Sequence, residues 1–417
     1  MLEVATEAII ERAAGLDVHQ GSVVACVILG SPGRRRSRET RTFGAMPRDL
    51  AALRAWLLEL GVTHVGMEGT GVYWQPVHAA LEGGAFTLIV GNASHMRNVP
   101  GRKTDVKDAE WIADLVRHGL VRASFVPPPE VRVPRDLVRH RRALVGTLVA
   151  ERNRTLKLLE SAGIKLAGVM SGVFGVSGML MLEALAAGTA TPVAMADLAE
   201  RRLRRKLDRL APALDGHLAE HQRLLLTMHI RRLEGIDRDL AEVEAAIAAA
   251  MRPFAAEQAL LVTIPGVDAL TAAAIIAEIG ADMGAFGSAR RLAAWAGLCP
   301  ANRESAGKRK GHGTRKGDPH LKAALVTAAV SAARAKGTYL RDKFHRLRAR
   351  LGAKKAALAV AHKILVAVFH ILERAVPFAD LGADYLDRLD KHRTAKRLIR
   401  RLDALGYNVM LRPKAAG

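Results

Sequence analysis

Apolar positions along this chain follow two periods, and the change from one to the other divides it. Residues 15–29 (GLDVHQGSVVACVIL) read as a strand, a turn at Gln20-Gly21-Ser22 and a second strand rich in Val and Ile. A basic, polar stretch from Arg34 to Arg41 leads to another strand. Pro47 opens a predicted helix through Leu60, stopped by Gly61. A short apolar strand follows at Val62–Met67, closed by Glu68-Gly69-Thr70-Gly71. A helix at Tyr73–Leu81, a strand at Phe86–Val90 and a helix at Asp105–His118 complete a segment of early strands followed by alternating helices and strands, the pattern of a mixed α/β domain. Pro127-Pro128-Pro129 forces extended backbone and marks its end.

Beyond the prolines the period is helical. Leu137, Leu144, Leu148, Leu156 and Leu159 fall near one face, interleaved with Arg139, Arg141, Arg142, Arg152 and Arg154. Leu226, Leu233, Leu240 and Ile247 recur every seventh residue, with Ile236 and Val243 between them, a coiled-coil-like stripe of about three heptads. Such a stripe serves a buried helix in a bundle or a dimerisation arm, and periodicity alone does not separate the two. Leu260–Val267 enters a helix at Ala269–Ile279, ended by Gly280. The turn Ile264-Pro265-Gly266-Val267 suits either a phosphate-holding helix–hairpin–helix or a packed helix entry. Residues 297–320 form a glycine-rich basic loop, followed by alanine-rich helices to about Val376, a basic helix at Tyr385–Leu405 and a last short strand at Tyr407–Leu411. The expected organisation is an α/β domain at 1–129, a helical and coiled-coil middle at 130–252, and a mostly helical C-terminal domain at 253–417.

Composition narrows the partner. Across 417 residues Lys and Arg outnumber Asp and Glu by 63 to 41, a formal charge of +22 and a pI near 10.6. An excess of that size costs self-repulsion and points to a polyanion. The competing polyanion is an anionic membrane, but no apolar run approaches the ~20 residues needed to span a bilayer, so nucleic acid is favoured. The two cysteines, Cys26 and Cys299, exclude a disulfide framework or a Cys-ligated zinc site by count. The first residues lack a basic region followed by an apolar core, so a cytoplasmic location is expected.

Four acids carry candidate chemistry. Asp17 lies in the first strand, Glu68 ends a later one beside Gly69, and Asp105 and Asp108 are three apart at a helix start, on one face. Converging carboxylates repel unless a hard divalent cation neutralises them. Mg²⁺ does so while leaving positions for phosphate oxygens. Lys103 and Lys107 flank the helical pair, where a phosphate must dock. Each acid alone reads as structural, Asp105 as a capping acid and Asp108 as a first-turn acid; their order and context together point to metal. In the C-terminal loop, Ser305 lies among Arg303, Lys308, Arg309 and Lys310, with Gly307, Gly311 and Gly313 loosening the backbone. Cations there offset charge on a phosphate whether Ser305 is a nucleophile or only a hydrogen-bond donor.

These segments together resemble one family. GLDVHQ, GMEGTGVYW, GRKTDVKDAEWIADLVRHGLV, RDLVRHRRALV, IPGVDALTAAAIIAEIG, GLCPANRESAGKRKG and HLKAAL run along nearly the whole chain. They are similar to the IS-one-ten (IS110) family of insertion-sequence transposases, the bridge-RNA-guided serine recombinases. The resemblance implies a RuvC-like (ribonuclease-H-like) N-terminal domain whose Asp-Glu-Asp-Asp set, matched by Asp17, Glu68, Asp105 and Asp108, holds Mg²⁺. It implies a C-terminal transposase domain whose serine nucleophile, matched by Ser305, forms a covalent phosphoserine with DNA. Expected partners are the element's DNA ends, target DNA, a structured bridge RNA, and further copies of the chain in a dimer or tetramer, without a membrane. Arg139 and Arg142 join Lys103, Lys107, Arg303, Lys308, Arg309 and Lys310 as expected nucleic-acid contacts. The family often places Gly directly after the serine, whereas here Ala306 intervenes before Gly307. Two other readings of the same residues are a metal-dependent nuclease using water as nucleophile and a non-catalytic RNA-binding scaffold.

Overall fold

The computed structural model describes residues 9–31, 36–92, 96, 108–300, 304–305, 308–309, 313–314 and 317–410. It divides into two compact units between Val126 and Pro127.

The first unit is built on five strands: β1 (Arg12–Val18), β2 (Ser22–Leu29), β3 (Ser37–Gly44), β4 (His64–Glu68) and β5 (Thr87–Gly91). Their order is β3-β2-β1-β4-β5. The β1–β2 and β2–β3 pairs are antiparallel, and β1–β4 and β4–β5 are parallel. Strand β3 takes up most of the stretch that the sequence assigns to a basic lead-in. It is an edge strand exposed along most of its length, so polar residues fit its positions.

Side chains alternate across the sheet. Ala14, Leu16, Val23, Ala25, Val65 and Met67 pack on one face against Leu53, Leu57 and Leu81 of helices α1 (Pro47–Glu59) and α2 (Trp74–Leu81). The other face carries Ala13, Gly15, Cys26 and Gly66, and helix α3 (Asp108–Arg117) lies on it. Small residues let that helix come close. A Cβ on Gly15 would stand 2.2 Å from both the Ala109 carbonyl oxygen and the Ala113 nitrogen, and one on Gly66 would stand 2.3 Å from Val116 Cγ2. The C-terminal end of α3 is held at the start of β1, where the Arg117 carbonyl accepts from the Ile9 and Ile10 amides, each at 3.0 Å. Helix α3 therefore runs opposite to β1 and brings its N-terminus toward the end of that strand.

The second unit is helical. Its axis is α4 (Pro129–Ser161), a helix of 33 residues, packed along α9 (Glu220–Ala250). Between them lie the short helices α5 (Leu166–Val169), α6 (Val176–Ala187), α7 (Pro192–Ala196) and α8 (Leu207–Leu214), with a 3-10 turn at Arg201–Lys206. These enclose their own core around Leu166, Met181, Leu182, Leu210 and Leu214, closed by Leu159 and Leu226 from the long helices. The heptad stripe resolves in favour of the bundle. Leu233 and Ile236 pack on Leu148 of the same chain, with Leu144 and Leu240 beside them, so the seam is filled from within.

Helices α10 (Ala255–Val262), α11 (Ala269–Ile279), α12 (Ala289–Trp295), α13 (Pro319–Ala332), α14 (Tyr339–Leu351) and α15 (Ala353–Arg374) follow. The expected boundary at residue 252 falls between α9 and α10, inside this unit. Contrary to the reading that no apolar run is long enough, α15 has the length and composition of a membrane span. It is instead a core helix: Val360, Ala361, Ile364, Leu365, Val368 and Phe369 are buried against its neighbours, α12, α13 and α14 among them. The basic tail folds as α16 (Tyr385–Leu389) and α17 (Lys391–Asp403). The strand expected at Tyr407–Leu411 does not form across 407–410, where no neighbouring strand offers a ladder, and Leu411 lies outside the described residues.

Where α4 meets α9, Glu151 is buried to 2% exposure and accepts from His229 Nδ1 at 2.6 Å and from Arg154 at 2.7 Å, with Arg232 at 3.4 Å. Burial pushes its pKa up, but the His229, Arg154 and Arg232 hydrogen bonds and the His229 charge outweigh it and hold the carboxyl below its ordinary 4.5.

Two outcomes follow from these contacts. Gly15→Ala destabilises the first unit by about 1–3 kcal/mol, because the helix must move off the sheet, and thermal unfolding followed by circular dichroism reads the loss. Glu151 is depressed in the folded state, so its contribution is complete above pH 4.5 and falls away as pH drops through the lower folded value. Denaturant titrations from pH 7 to pH 3 should show a shallower loss of stability in Glu151→Gln than in the unaltered chain.

Candidate functional site

Parallel register places two of the predicted acids side by side. Leu16 of β1 pairs with Met67 of β4, so Asp17 and Glu68, one step on, stand at the C-terminal ends of adjacent strands. Leu16 and Met67 point into the core under α1 and α2. By alternation Asp17 and Glu68 share the opposite face with Gly15 and Gly66, the face on which α3 lies. Gly15 touches Ala109, and Asp108, immediately before it, heads α3. Three of the four acids thus belong to one end of one sheet face. Asp105 lies outside the described residues, as do Lys103 and Lys107.

Two contacts at these acids were not anticipated. His19 Nε2 is 3.1 Å from Asp17 Oδ2, and the Thr70 hydroxyl donates to Glu68 Oε1. Both lie two residues past their acid, the spacing that returns a side chain to the same side of an extended segment. The motifs DVH and EGT carried that signal. Asp17 is partly buried, with 27% of its side chain exposed. Among the described residues no three His, Cys, Asp or Glu side chains form a group able to hold a metal ion. The donor chemistry nevertheless suits a hard divalent cation, because every predicted ligand is a carboxylate.

The serine loop belongs to the second unit. Its base is closed by contact between glycines, since a Cβ on Gly317 would lie 2.3 Å from the Gly297 nitrogen. A bridge pairs Pro300 with Thr314. Further out, β6 (Glu304–Ser305) and β7 (Lys308–Arg309) form an antiparallel hairpin in which Lys308 stands opposite Ser305. Arg303 and Lys310 lie outside the described residues.

A buried ionic network holds the exit of this loop. Arg139 of α4 binds Glu278 of α11 through two hydrogen bonds of 2.8 Å, and Arg135 Nη2 reaches the same carboxylate at 2.9 Å. Asp318 receives both guanidiniums at 3.3 and 3.5 Å. Its other oxygen caps α13 by accepting from the His320 and Leu321 amides, each at 2.8 Å. Burial acts to lower the pKa of Arg139, and the Glu278 hydrogen bonds and charge overcome it and leave it raised. Arg142 donates to the Pro319 and His320 carbonyls at 3.0 and 3.2 Å. Arg139 and Arg142, expected to contact nucleic acid, are both engaged by the protein at the loop exit, Arg139 by carboxylates and Arg142 by backbone carbonyls. The turn at Gly266 is likewise a packing feature. Its φ is +90°, and a Cβ there would stand 2.4 Å from the Ala328 carbonyl oxygen and the Ala332 nitrogen of α13.

Two families of known proteins match parts of the chain, the first extending past the boundary at Val126 to the end of α4. Residues 14–164 match a transposase family of the DEDD, IS110 type, and residues 258–345 match the family described as Transposase IS116/IS110/IS902. Both segments are thus similar to domains of IS110-family transposases. It is also 28% identical over 251 residues to the insertion element IS900 uncharacterized 42 kDa protein of Mycobacterium paratuberculosis, an alignment covering 52% of this chain and 61% of that relative.

Removing the acid at the centre of the arginine network leaves two close guanidiniums with only their longer contacts to Asp318. Glu278→Ala should cost about 3–5 kcal/mol, as for other buried pairs broken on one side. Urea denaturation checks it, and Arg139→Ala alone should cost less because Arg135 still pairs with the carboxylate.

Proposed function

We propose that this protein is a DNA transposase whose first unit is a RuvC-like, metal-binding domain and whose second unit supplies Ser305 as nucleophile. The observation that carries the reading is the shared strand end of Asp17 and Glu68, with Asp108 heading the helix across the same face, in a chain matching both transposase families. Asp105, three residues before Asp108, completes the set. Mg²⁺ held by these carboxylates would neutralise phosphate oxygens and lower the barrier to displacement at phosphorus.

The chain's own groups carry the rest. His19 and Thr70 orient the two strand-end carboxylates. The Ser305 oxygen forms a bond to a DNA phosphorus as the deoxyribose oxygen leaves and takes up a proton. The hydroxyl of another strand then attacks that phosphorus and releases the serine with its proton restored. The number and type of phosphate-ester bonds are conserved, so rejoining needs no nucleoside triphosphate. Lys308, across the hairpin from Ser305, supplies positive charge beside the phosphate. Target choice belongs to a structured RNA paired with both DNAs, and assembly of copies brings two reacting ends together.

The test is to incubate the protein with Mg²⁺, guide RNA and labelled element-end and target DNA, then resolve the products under denaturing conditions. A covalent protein–DNA adduct is expected, absent from Ser305→Ala and reduced at least a hundredfold in Asp17→Asn. Cleaved ends without adduct, unaffected by Ser305→Ala, would establish water as the nucleophile instead. Full activity of Asp17→Asn in cells would establish a scaffold.

A further inference from the structure

The helices between α4 and α9 lie outside both family matches, which stop at residue 164 and resume at 258. Their outer surface carries the densest run of positive charge in the described chain. Residues 200–209 read ERRLRRKLDR, six cations against Glu200 and Asp208. The run is folded rather than loose. Leu203 and Leu207 pack against the local core and Leu210 belongs to it, one apolar stripe along the 3-10 turn and α8. The remaining positions face outward, with Arg201, Arg202, Arg204, Arg205 and Arg209 all exposed.

Two of the six cations fix the segment in place. Arg204 Nη1 donates to the Asp197 and Ala199 carbonyls at 3.3 Å each, and Lys206 Nζ donates to the Val169 carbonyl at 2.7 Å. Arg201, Arg202, Arg205 and Arg209 form no ion pair or hydrogen bond among the described residues. By helical spacing Arg202, Arg205 and Arg209 fall on one line. Lys206 also ties the run to the glycine-rich loop after α5. With Arg152 and Asn153 of α4, that loop walls a cleft of about 490 Å³. In the cleft the Arg152 guanidinium lies 5.4 Å from the Phe174 ring centroid, with Nε buried and unpartnered among the described residues.

A line of unpaired guanidiniums on a braced segment, continuous with a cleft holding another, matches a chain of phosphates better than a single anion. Arginine forks bind phosphate oxygens two at a time, and spaced phosphates satisfy several forks at once. We propose that this insert is a second nucleic-acid surface, separate from the acids and the serine loop, which binds a phosphodiester backbone through Arg201, Arg202, Arg205 and Arg209. Its role is to hold the substrate or guide away from the reacting phosphate. DNA and RNA present the same chemistry to it, and the experiment separates them.

The full chain and a variant with all four arginines changed to Gln are titrated by fluorescence anisotropy against a labelled DNA duplex and an RNA stem-loop across a salt series. At about 0.1 M salt the variant should bind at least one of them about tenfold more weakly. Each lost phosphate contact flattens the plot of log affinity against log salt by about 0.9 for duplex DNA, so loss of all four contacts lowers the slope by roughly three to four. The ligand that shows the loss identifies the source. A control variant with the four arginines changed to Lys keeps the charge and should retain most of the affinity. Equal isotherms and slopes for the chain and the Gln variant with both ligands overturn the proposal. Equal loss in the Gln and Lys variants, which marks a folding defect, also overturns it. So does a Gln variant that loses binding only to phosphatidylserine vesicles.

Discussion

The close seating of α3 on the sheet is the contact on which the candidate metal site depends. At Gly15 the helix backbone comes so near that no other residue fits. That contact fixes the helix along the strand as well as its height above it. Asp17 lies two residues beyond Gly15 on the same face, and Asp108 lies one residue before the Ala109 that Gly15 touches. A larger residue at position 15 would lift the helix and draw the acids apart while leaving every acid in place. The placement of these acids is therefore specified as much by an absent side chain as by the carboxylates.

The second unit solves a different problem. The basic loop carrying Ser305 must leave a helical scaffold and return to it without loosening it. The return is pinned by Asp318, which caps α13 and also receives Arg135 and Arg139. Glu278 holds the same two guanidiniums from α11. Charges this deep are costly unless paired, and three helices meet around them. The departure of the loop is set by the glycine contact between residues 297 and 317. Both ends of the loop are thus fixed on the helical scaffold, by the glycine contact on one side and the ionic network on the other.

Much of this was readable in the chain. Strands β1, β2, β4 and β5 and the placement of Asp17 and Glu68 followed from short apolar runs bounded by turn residues, and α11 followed from its apolar run and Gly280. The roles of Arg139 and Arg142 were not readable, because their partners are 139 or more residues away and an arginine among leucines looks the same whether it faces water or a buried glutamate. The heptad stripe was ambiguous for a similar reason. Periodicity identifies an apolar seam but not its occupant, and here the occupant is α4. The turn at Gly266 suited either a phosphate-holding hairpin or a packed helix entry, and the close approach of α13 accounts for the glycine by packing. Asp105 and the side chains of the serine hairpin stand on sequence alone.

Net charge is the feature most easily misread. A formal +22 suggests one broad basic surface, yet many of the cations are committed internally. Arg117 donates to the Gly30 carbonyl, Arg135 and Arg139 hold Glu278, Arg154 holds Glu151, and Arg204 and Lys206 hold backbone carbonyls. A cation paired with a carboxylate adds little field beyond a Debye length, about 10 Å at 0.1 M salt, and contributes no phosphate contact unless the pair breaks. A cation bonded to a carbonyl keeps its charge but has a donor already occupied. The charge available to a polyanion is therefore smaller and more localised than the total. In the second unit it gathers on the insert, where Arg201, Arg202, Arg205 and Arg209 stand exposed without an ion pair among the described residues, so the usable charge is set in place by the fold rather than spread over the surface.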